Sequence, residues 1–358
     1  MKSRIVVAVS SAVAFMALCS FGAEDKGSSA KASGAASVEK ARALYELGDY
    51  RAAAEAYDDL LREIPENAPA LAEKASCLNQ LHRHNEALLA SERAIQIDRM
   101  YILAHAARGD ALNFLGRHED ATKAYSTAEG IQPQDARTFV HRGALRLARN
   151  SPHSAIEDLS NAIQMDRTLS LAYYTRAQAY EATGAADRAL QDYSQAITVN
   201  PRNAQAYCSR GSFFGRSSKQ EEALADWNKA IELNPHFAMA FYNRGTFYGV
   251  YKNDYRKEIA DCTKAIEIDP RYKEAYLNRG HAYKGVGQYE NAVLDFTKTI
   301  ELDPNYAAAY QARGVTYARK GDYAAAKKDW QRAVELDPTG DTGRRAQTNL
   351  QQLKNAGY

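Results

Sequence analysis

The stretch YLNRGHAYKGVGQYENAVLDFTKTIELDP, Tyr276–Pro304, decides the fold of this chain. It contains one helix-length segment on each side of Gly287 and ends at a proline. Similar stretches recur at intervals of 34 residues, with a single interval of 35, from about Gly34 to Pro338. A period in this range is typical of stacked helical hairpins, so nine copies of one hairpin account for most of the 358 residues.

Alignment of the nine copies shows which positions build the hairpin. A small residue recurs in the first helix of every copy, and alanine recurs twelve residues later in the second helix of most copies. Aromatic residues such as Tyr283 and Phe296 fill the remaining space, and proline ends seven copies because it cannot continue a helix. The columns therefore predict pairs of closely packed helices. The small residues are Ala41, Ala75, Gly109, Gly143, Ala177, Gly211, Gly245, Gly280 and Gly314.

This order of small residue, aromatic, Ala, aromatic, Ala and Pro resembles the tetratricopeptide repeat family over about 305 of the 358 residues. The resemblance implies an all-α fold, a right-handed α-solenoid superhelix of antiparallel helix pairs whose first helices line a concave groove. We expect nine repeats over residues 38–338. Ala346, Leu350 and Leu353 share one face of a further helix candidate, so residues 339–358 are predicted to form a C-terminal capping helix and tail.

The N-terminus has a different composition from the repeats. Lys2 and Arg4 precede an apolar run that is too short for a stable membrane span and typical of a signal peptide, which we place at residues 1–22. Residues 23–37 are rich in Ala, Ser, Gly and Lys and predict a flexible linker. Leu18 stands where a lipid-attachment motif needs a small residue, which disfavours anchoring at Cys19. We therefore expect an exported chain, periplasmic or secreted, with no membrane span after signal removal.

Composition and motifs argue against several function classes. A quarter of the residues are charged, but the net charge is only +2, so no overall field attracts the chain to nucleic acid. The sequence contains no HExxH, no GxSxG and no phosphate-binding Gly-rich loop after a strand. We expect no enzymatic activity, no cofactor, no metal and no nucleic-acid partner.

A basic residue stands directly before the small residue in every copy, and it has two interpretations. The series could form a positive surface for an acidic partner, or it could pair with the Asp that recurs on the second helix of the last six copies. We favour the ion pair, because Arg suits partly buried carboxylates. The first three copies have alanine in the Asp column, so Lys40, Lys74 and Arg108 are predicted to be free positive charges.

The resemblance places on the groove the first-helix residues six and three before, and one and four after, the small residue. These offsets share one helical face. Tyr174 and Tyr242 are not needed inside their own hairpins, so they could anchor a partner or pack on a neighbouring copy. The candidate partner-binding residues are Arg137, Val140, Leu171, Tyr174, Gln178, Gln205, Met239, Tyr242, Thr246, Leu277 and His281.

The leading hypothesis is an exported scaffold that binds a peptide segment or helix of another protein in the concave groove. The alternative is an accessory or regulatory subunit of a cell-envelope enzyme complex, in cell-wall or outer-membrane assembly. The seventh copy contains the extra residue, within 249–254, and has Glu258 and Cys262 in the Ala and aromatic columns. These departures indicate either a functional hinge or ordinary variation of the repeat. The sequence leaves the oligomeric state open.

Overall fold

A computed structural model describes the backbone of residues 29–217 and 219–358, and the side chains from Ser37 onward. These ranges contain nineteen α-helices and no β-strand. The helices are α1 (Ser29–Glu46), α2 (Tyr50–Glu63), α3 (Ala68–Gln80), α4 (His84–Ile97), α5 (Ile102–Phe114), α6 (His118–Gly130), α7 (Ala136–Ala148), α8 (Pro152–Met165), α9 (Ser170–Ala182), α10 (Ala186–Val199), α11 (Ala204–Arg216), α12 (Gln220–Leu233), α13 (Ala238–Lys252), α14 (Tyr255–Ile268), α15 (Lys273–Gly285), α16 (Tyr289–Leu302), α17 (Ala307–Arg319), α18 (Tyr323–Leu336) and α19 (Asp341–Asn355).

Helix α1 begins earlier than the sequence pattern predicts. Its backbone is helical from Ser29, so residues 29–37 extend the first helix, although we expected them to belong to a flexible linker. Alanine is the strongest helix former, and the Ala-rich stretch directly precedes a repeat helix that it can continue. The predicted signal peptide, residues 1–22, and residues 23–28 of the predicted linker lie outside the described residues.

Helices α1 to α18 pack in sequence as nine pairs, one for each copy, which confirms the predicted hairpins. The turn between the two helices has a residue in the left-handed conformation at one fixed position. This holds in all eight copies in which that position is described. Glycine takes this conformation in five turns, and His82, Asn150 and Asn253 take it in three others, at φ values of 51 to 59°. A left-handed residue ends a helix by redirecting the chain, so this column sets the reversal.

The small-residue column works as predicted, by close approach of the two helices. A Cβ atom at Gly280 would lie 2.7 Å from the ring of Phe296 in the second helix of the same copy. At Gly109 it would lie 2.3 Å from the ring of Tyr125. The aromatic side chain of the second helix therefore packs directly on the backbone of the first.

The chain divides between His236 and Phe237 into two compact units. The first unit contains α1 to α12, the first six copies. Its largest core cluster includes Tyr45 and Tyr57 of the first hairpin together with Leu171 and Tyr174 of α9. The first hairpin, α1 and α2, therefore shares a core with residues of the fifth copy.

The second unit contains α13 to α18, the last three copies, followed by α19. Helix α19 packs on α18 and α17, and Ala346 and Leu353 join the cluster around Trp330. In the seventh copy α13 has 15 residues, where the first helices of copies two to six have 13. A Cβ at Gly249 would lie 1.9 Å from the carboxylate of Glu258, so this glycine makes room for the Glu that replaces alanine. The hinge stays a prediction.

Candidate binding groove

The basic column forms the predicted ion pairs in the last six copies. Arg210 is representative: its Nε and Nη2 donate to the two carboxylate oxygens of Asp226 at 2.8 and 2.9 Å. Its Nη1 also donates to Ser194 Oγ in the second helix of the preceding copy, at 3.2 Å. Arg210 therefore joins two successive copies, and Arg176, Arg279 and Arg313 do so through Ser160, Thr263 and Thr297. The pairs are Arg142–Asp158, Arg176–Asp192, Arg210–Asp226, Arg244–Asp261, Arg279–Asp295 and Arg313–Asp329.

The prediction that Lys74 and Arg108 are free positive charges is wrong. Lys74 Nζ lies 2.5 Å from a carboxylate oxygen of Asp58, and Arg108 Nε lies 3.1 Å from Glu92. Both carboxylates belong to the second helix of the preceding copy, sixteen residues earlier, where five of the later copies have Ser or Thr. In these copies the carboxylate that pairs with the basic residue lies in the neighbouring copy. The alanine in the Asp column therefore did not indicate a free charge. Lys40 is exposed and has no ion-pair partner among the described residues.

Most groove candidates of the first unit have almost no exposed surface. Val140 and Leu171 are each 1% exposed and Gln205 is 3% exposed, while Arg137 and Gln178 are half-buried. The sequence pattern assigned the shared face of these first-helix residues to a groove, and that assignment stays a prediction. It did not predict that this face would already be covered.

The turn of the first hairpin covers part of that face. Gln205 Nε2 donates to the backbone carbonyl of Tyr45 at 2.9 Å and to Tyr50 Oη at 3.1 Å. The amide of Asn200 donates to the Glu46 carboxylate, and the amide of Asn234 donates to the backbone carbonyl of Leu47. Burial raises the pKa of Glu46 to about 7, although the hydrogen bond from Asn200 lowers it.

Sequence reasoning did not single out Asn200, Asn234 or Glu46, whose hydrogen bonds join the first hairpin to the fifth and sixth copies. One signal was available: Asn200 and Asn234 stand in the column that directly follows the second helix, where five other copies have Asp. Only Asn can donate a hydrogen bond from that position.

Tyr174 packs between copies in this structure. Its hydroxyl lies 3.3 Å from Ser209 Oγ of the next copy and accepts a hydrogen bond from Gln178 Nε2 at 3.0 Å. Its ring lies 6.0 Å from that of Tyr193, and burial raises its pKa. These contacts support the interpretation that Tyr174 packs on a neighbouring copy.

The second unit presents a more open set of groove positions. Met239 is 45% exposed, and Thr246 and His281 are half-buried. Asn278 Nδ2 donates to Thr246 Oγ1 at 2.9 Å and to Tyr242 Oη at 3.2 Å, so one amide links α13 to α15. Tyr242 itself is 7% exposed, and its ring lies 4.9 Å from that of Tyr272.

Two further groove candidates of this unit, Leu277 and His281, also pack against other side chains of the unit. Leu277 is 9% exposed and packs with Ala309 and Ala312 of the next copy. The ring of His281 lies 5.1 Å from that of Phe296.

Among the described residues, no group of three His, Cys, Asp or Glu side chains could hold a metal ion. None of the described helices is long and apolar enough to cross a bilayer.

Solved structures with similar folds have low sequence identity to this chain. The Cut9–Hcn1 hetero-tetramer of the APC/C matches with a TM-score of 0.62 and 18% identity, over 87% of this chain and 62% of the other. This chain therefore spans less than two thirds of that protein chain. PilF of Pseudomonas aeruginosa matches with a TM-score of 0.54 and 17% identity, over 60% of this chain and 97% of the other. At these identities the likeness shows the fold alone, and no curated protein matches the sequence.

Sequence profiles of one family cover most of both units. Profiles described as tetratricopeptide repeat match residues 38–101 in the first unit and 274–306 and 307–339 in the second. A further such profile matches residues 171–203, 204–237 and 239–272. Together with the paired helices and the small-residue column, these matches identify the chain as a member of the tetratricopeptide repeat family.

Proposed function

We propose that this chain is an exported scaffold that binds a segment of another protein along α13, α15 and α17 of the second unit. Membership of the tetratricopeptide repeat family supports protein binding as its general role. The predicted signal peptide supports export. The open position of Met239 supports this location for the partner, because it is 45% exposed, whereas the equivalent Leu171 and Gln205 of the first unit are 1% and 3% exposed.

The arrangement of Asn278 carries this proposal. The two amide hydrogens of its Nδ2 are used on Thr246 and Tyr242, which fixes the side chain and leaves its carbonyl oxygen as an acceptor. A fixed amide can accept a backbone N–H from an extended segment, and the exposed Met239 offers an adaptable apolar contact nearby in the groove. Polar contacts of this kind would orient the segment, while apolar contacts would supply affinity.

Capture of partners by the full-length chain tests this proposal. A tagged chain is expressed in its native cells and cross-linked, and the bound proteins are identified by mass spectrometry. We compare the wild type with Met239→Glu in the groove and with Leu294→Glu, a control at a 67% exposed position of α16. We expect a partner that the wild type and the control capture equally and that Met239→Glu captures at least tenfold less. Equal capture by all three would exclude this groove.

The same experiment separates the two functional hypotheses. Recovery of an envelope enzyme would favour the accessory-subunit role, and recovery of other proteins would favour a more general scaffold. Export is tested independently by sequencing the N-terminus of the mature protein. We expect it to begin near Ala23, and an intact Met1 would contradict export through this signal.

A further inference from the structure

Three consecutive residues of the first hairpin are each bound by a different side-chain amide. Gln205 binds the carbonyl of Tyr45, Asn200 binds the carboxylate of Glu46, and Asn234 binds the carbonyl of Leu47. Asn200, Gln205 and Asn234, here called the amide site, all lie in the first unit with the hairpin that they bind. Contacts with every residue of a short segment are typical of a peptide-binding site.

The ligand of the amide site is the C-terminal turn of a helix. Helix α1 ends at Glu46, and Gly48 follows in the left-handed conformation with φ of 78°. The last carbonyls of a helix lack partners within the helix, so side-chain donors can satisfy them. A carboxylate at this end of the helix is repelled by the negative pole of the helix dipole. A hydrogen-bond donor to Glu46 therefore offsets an unfavourable interaction.

The amide site uses residues that the repeat does not otherwise need. At the position of Asn200, the fourth copy has Asp166, whose Oδ1 accepts the backbone N–H two residues later at 2.8 Å. Asn200 makes the same turn bond at 3.0 Å, and Asn234 makes it at 2.9 Å. Asp would therefore serve the turn equally well. What Asn adds is the Nδ2 donor, and both extra donors point to the first hairpin.

Burial supports a specific fit. Tyr45 is 3% exposed, Glu46 is 6% exposed, and Gln205 and Asn234 are 3% and 4% exposed. The second hydrogen of the Gln205 amide is also used, on Tyr50 Oη. Buried amides of this kind would be costly without a ligand that offers oxygen acceptors at the same places.

We infer that the amide site is a binding site for the C-terminal turn of a helix that carries a glutamate side chain between apolar residues, and that the first hairpin fills this site in cis. The bound hairpin covers part of the inner face of the first unit. When the hairpin leaves, the site takes a helix end of the same chemistry from another protein. This inference does not depend on the partner proposed for the second unit.

The first test measures whether the amides hold the hairpin. Hydrogen exchange of residues 38–63 is compared in the full-length wild type, in Asn200→Asp and in the control Asp98→Asn, which makes the reverse change in the same column of the second copy. Asn200→Asp retains the turn acceptor but loses the donor and places a negative charge beside Glu46. We expect exchange in the hairpin to rise at least tenfold in Asn200→Asp and to stay unchanged in the control. Unchanged exchange in both variants would overturn the inference.

The second test supplies the ligand in trans. Glu46→Lys in the full-length chain should release the hairpin, because it replaces the acceptor of the Asn200 amide with a cation, and it changes none of the three amides. A fluorescent peptide of residues 38–63 with the native Glu46 serves as the probe, and binding is followed by anisotropy. We expect the peptide to bind Glu46→Lys at least tenfold more tightly than the wild type, and Asn234→Asp added to Glu46→Lys to abolish this gain. Equal binding with and without Asn234→Asp would refute the site, and so would no binding by a folded Glu46→Lys chain.

Discussion

Removal of the carboxylate of Asp158 should destabilise the first unit more than any other single change in the ion-pair column. Asp158 is 2% exposed and accepts three hydrogen bonds from two arginines. Arg142 donates from Nε and Nη2 at 2.9 and 2.8 Å, and Arg146 donates from Nη1 at 2.8 Å. Arg146 stands in a column where copies five to nine have an aromatic residue, so the pair gains a second cation there.

The magnitude follows from the charge that would be left behind. In Asp158→Ala the guanidinium of Arg142, which is 7% exposed, would lose its only carboxylate among the described residues. Breaking a buried ion pair in this way costs about 3–5 kcal/mol. Arg142 keeps a hydrogen bond to the carbonyl of Ile131 at 3.2 Å, so we expect the lower end, about 3 kcal/mol. Asp59→Ala breaks an exposed pair with Arg62 and should cost about 0–1 kcal/mol.

Urea unfolding of the full-length chain, followed by circular dichroism, measures the difference. Asp226→Ala is an intermediate case, because the Arg210 side chain is 20% exposed and keeps its bond to Ser194. We expect the loss of free energy of unfolding to rank Asp158→Ala, then Asp226→Ala, then Asp59→Ala. If Asp158→Ala cost no more than Asp59→Ala, burial would not decide the contribution of these pairs and the reasoning would fail.

Three further predictions concern single features of the two units. Burial raises the pKa of Glu46 to about 7, so protonation of Glu46 favours the packed hairpin. The stability of the hairpin should therefore be complete below about pH 4.5 and fall as the pH rises to about 7. Hydrogen exchange at pH 5 and pH 8 measures this change, and Glu46→Gln should remove the pH dependence. Gly280→Ala should cost about 1–3 kcal/mol in urea unfolding because its Cβ would lie 2.7 Å from a ring, whereas Gly130→Ala, with nothing within 4 Å, should cost nothing. A chain that ends at Pro338 loses the helix that covers Trp330 and should melt at a lower temperature; unchanged melting and solubility would contradict a capping role.

The repeat pattern predicted those features of the fold that depend on one hairpin or on two adjacent hairpins. The small residue at Gly280, the aromatic that packs on it and the ion pair of Arg210 with Asp226 recur at fixed spacing, so one copy informs the next. The pattern failed for Lys74 because its carboxylate, Asp58, comes from the preceding copy. A prediction that looks for the partner only inside one copy cannot find a contact made across the boundary.

The occupied inner face of the first unit could not be predicted from the same pattern. The bond from Gln205 joins residues 160 positions apart, and the bond from Asn234 joins residues 187 positions apart. Such contacts depend on the accumulated rotation of several copies, to which small differences in each hairpin contribute. The only local trace of these contacts in the sequence is that Asn replaces Asp at two positions. The effect of that replacement can be understood only from the geometry of the whole unit.

The first hairpin also changes how the first unit should unfold. In an open array each repeat contacts only its neighbours, so terminal repeats fray first and stability is a sum of local terms. Here Glu46 and Leu47 of the first copy are bound by Asn200 and Asn234 at the ends of the fifth and sixth copies. Release of the hairpin would therefore expose Leu171 and Tyr174 in the middle of the unit as well as its end. The first copy should unfold together with copies five and six, and a ligand that displaces it must supply the contacts that those copies lose.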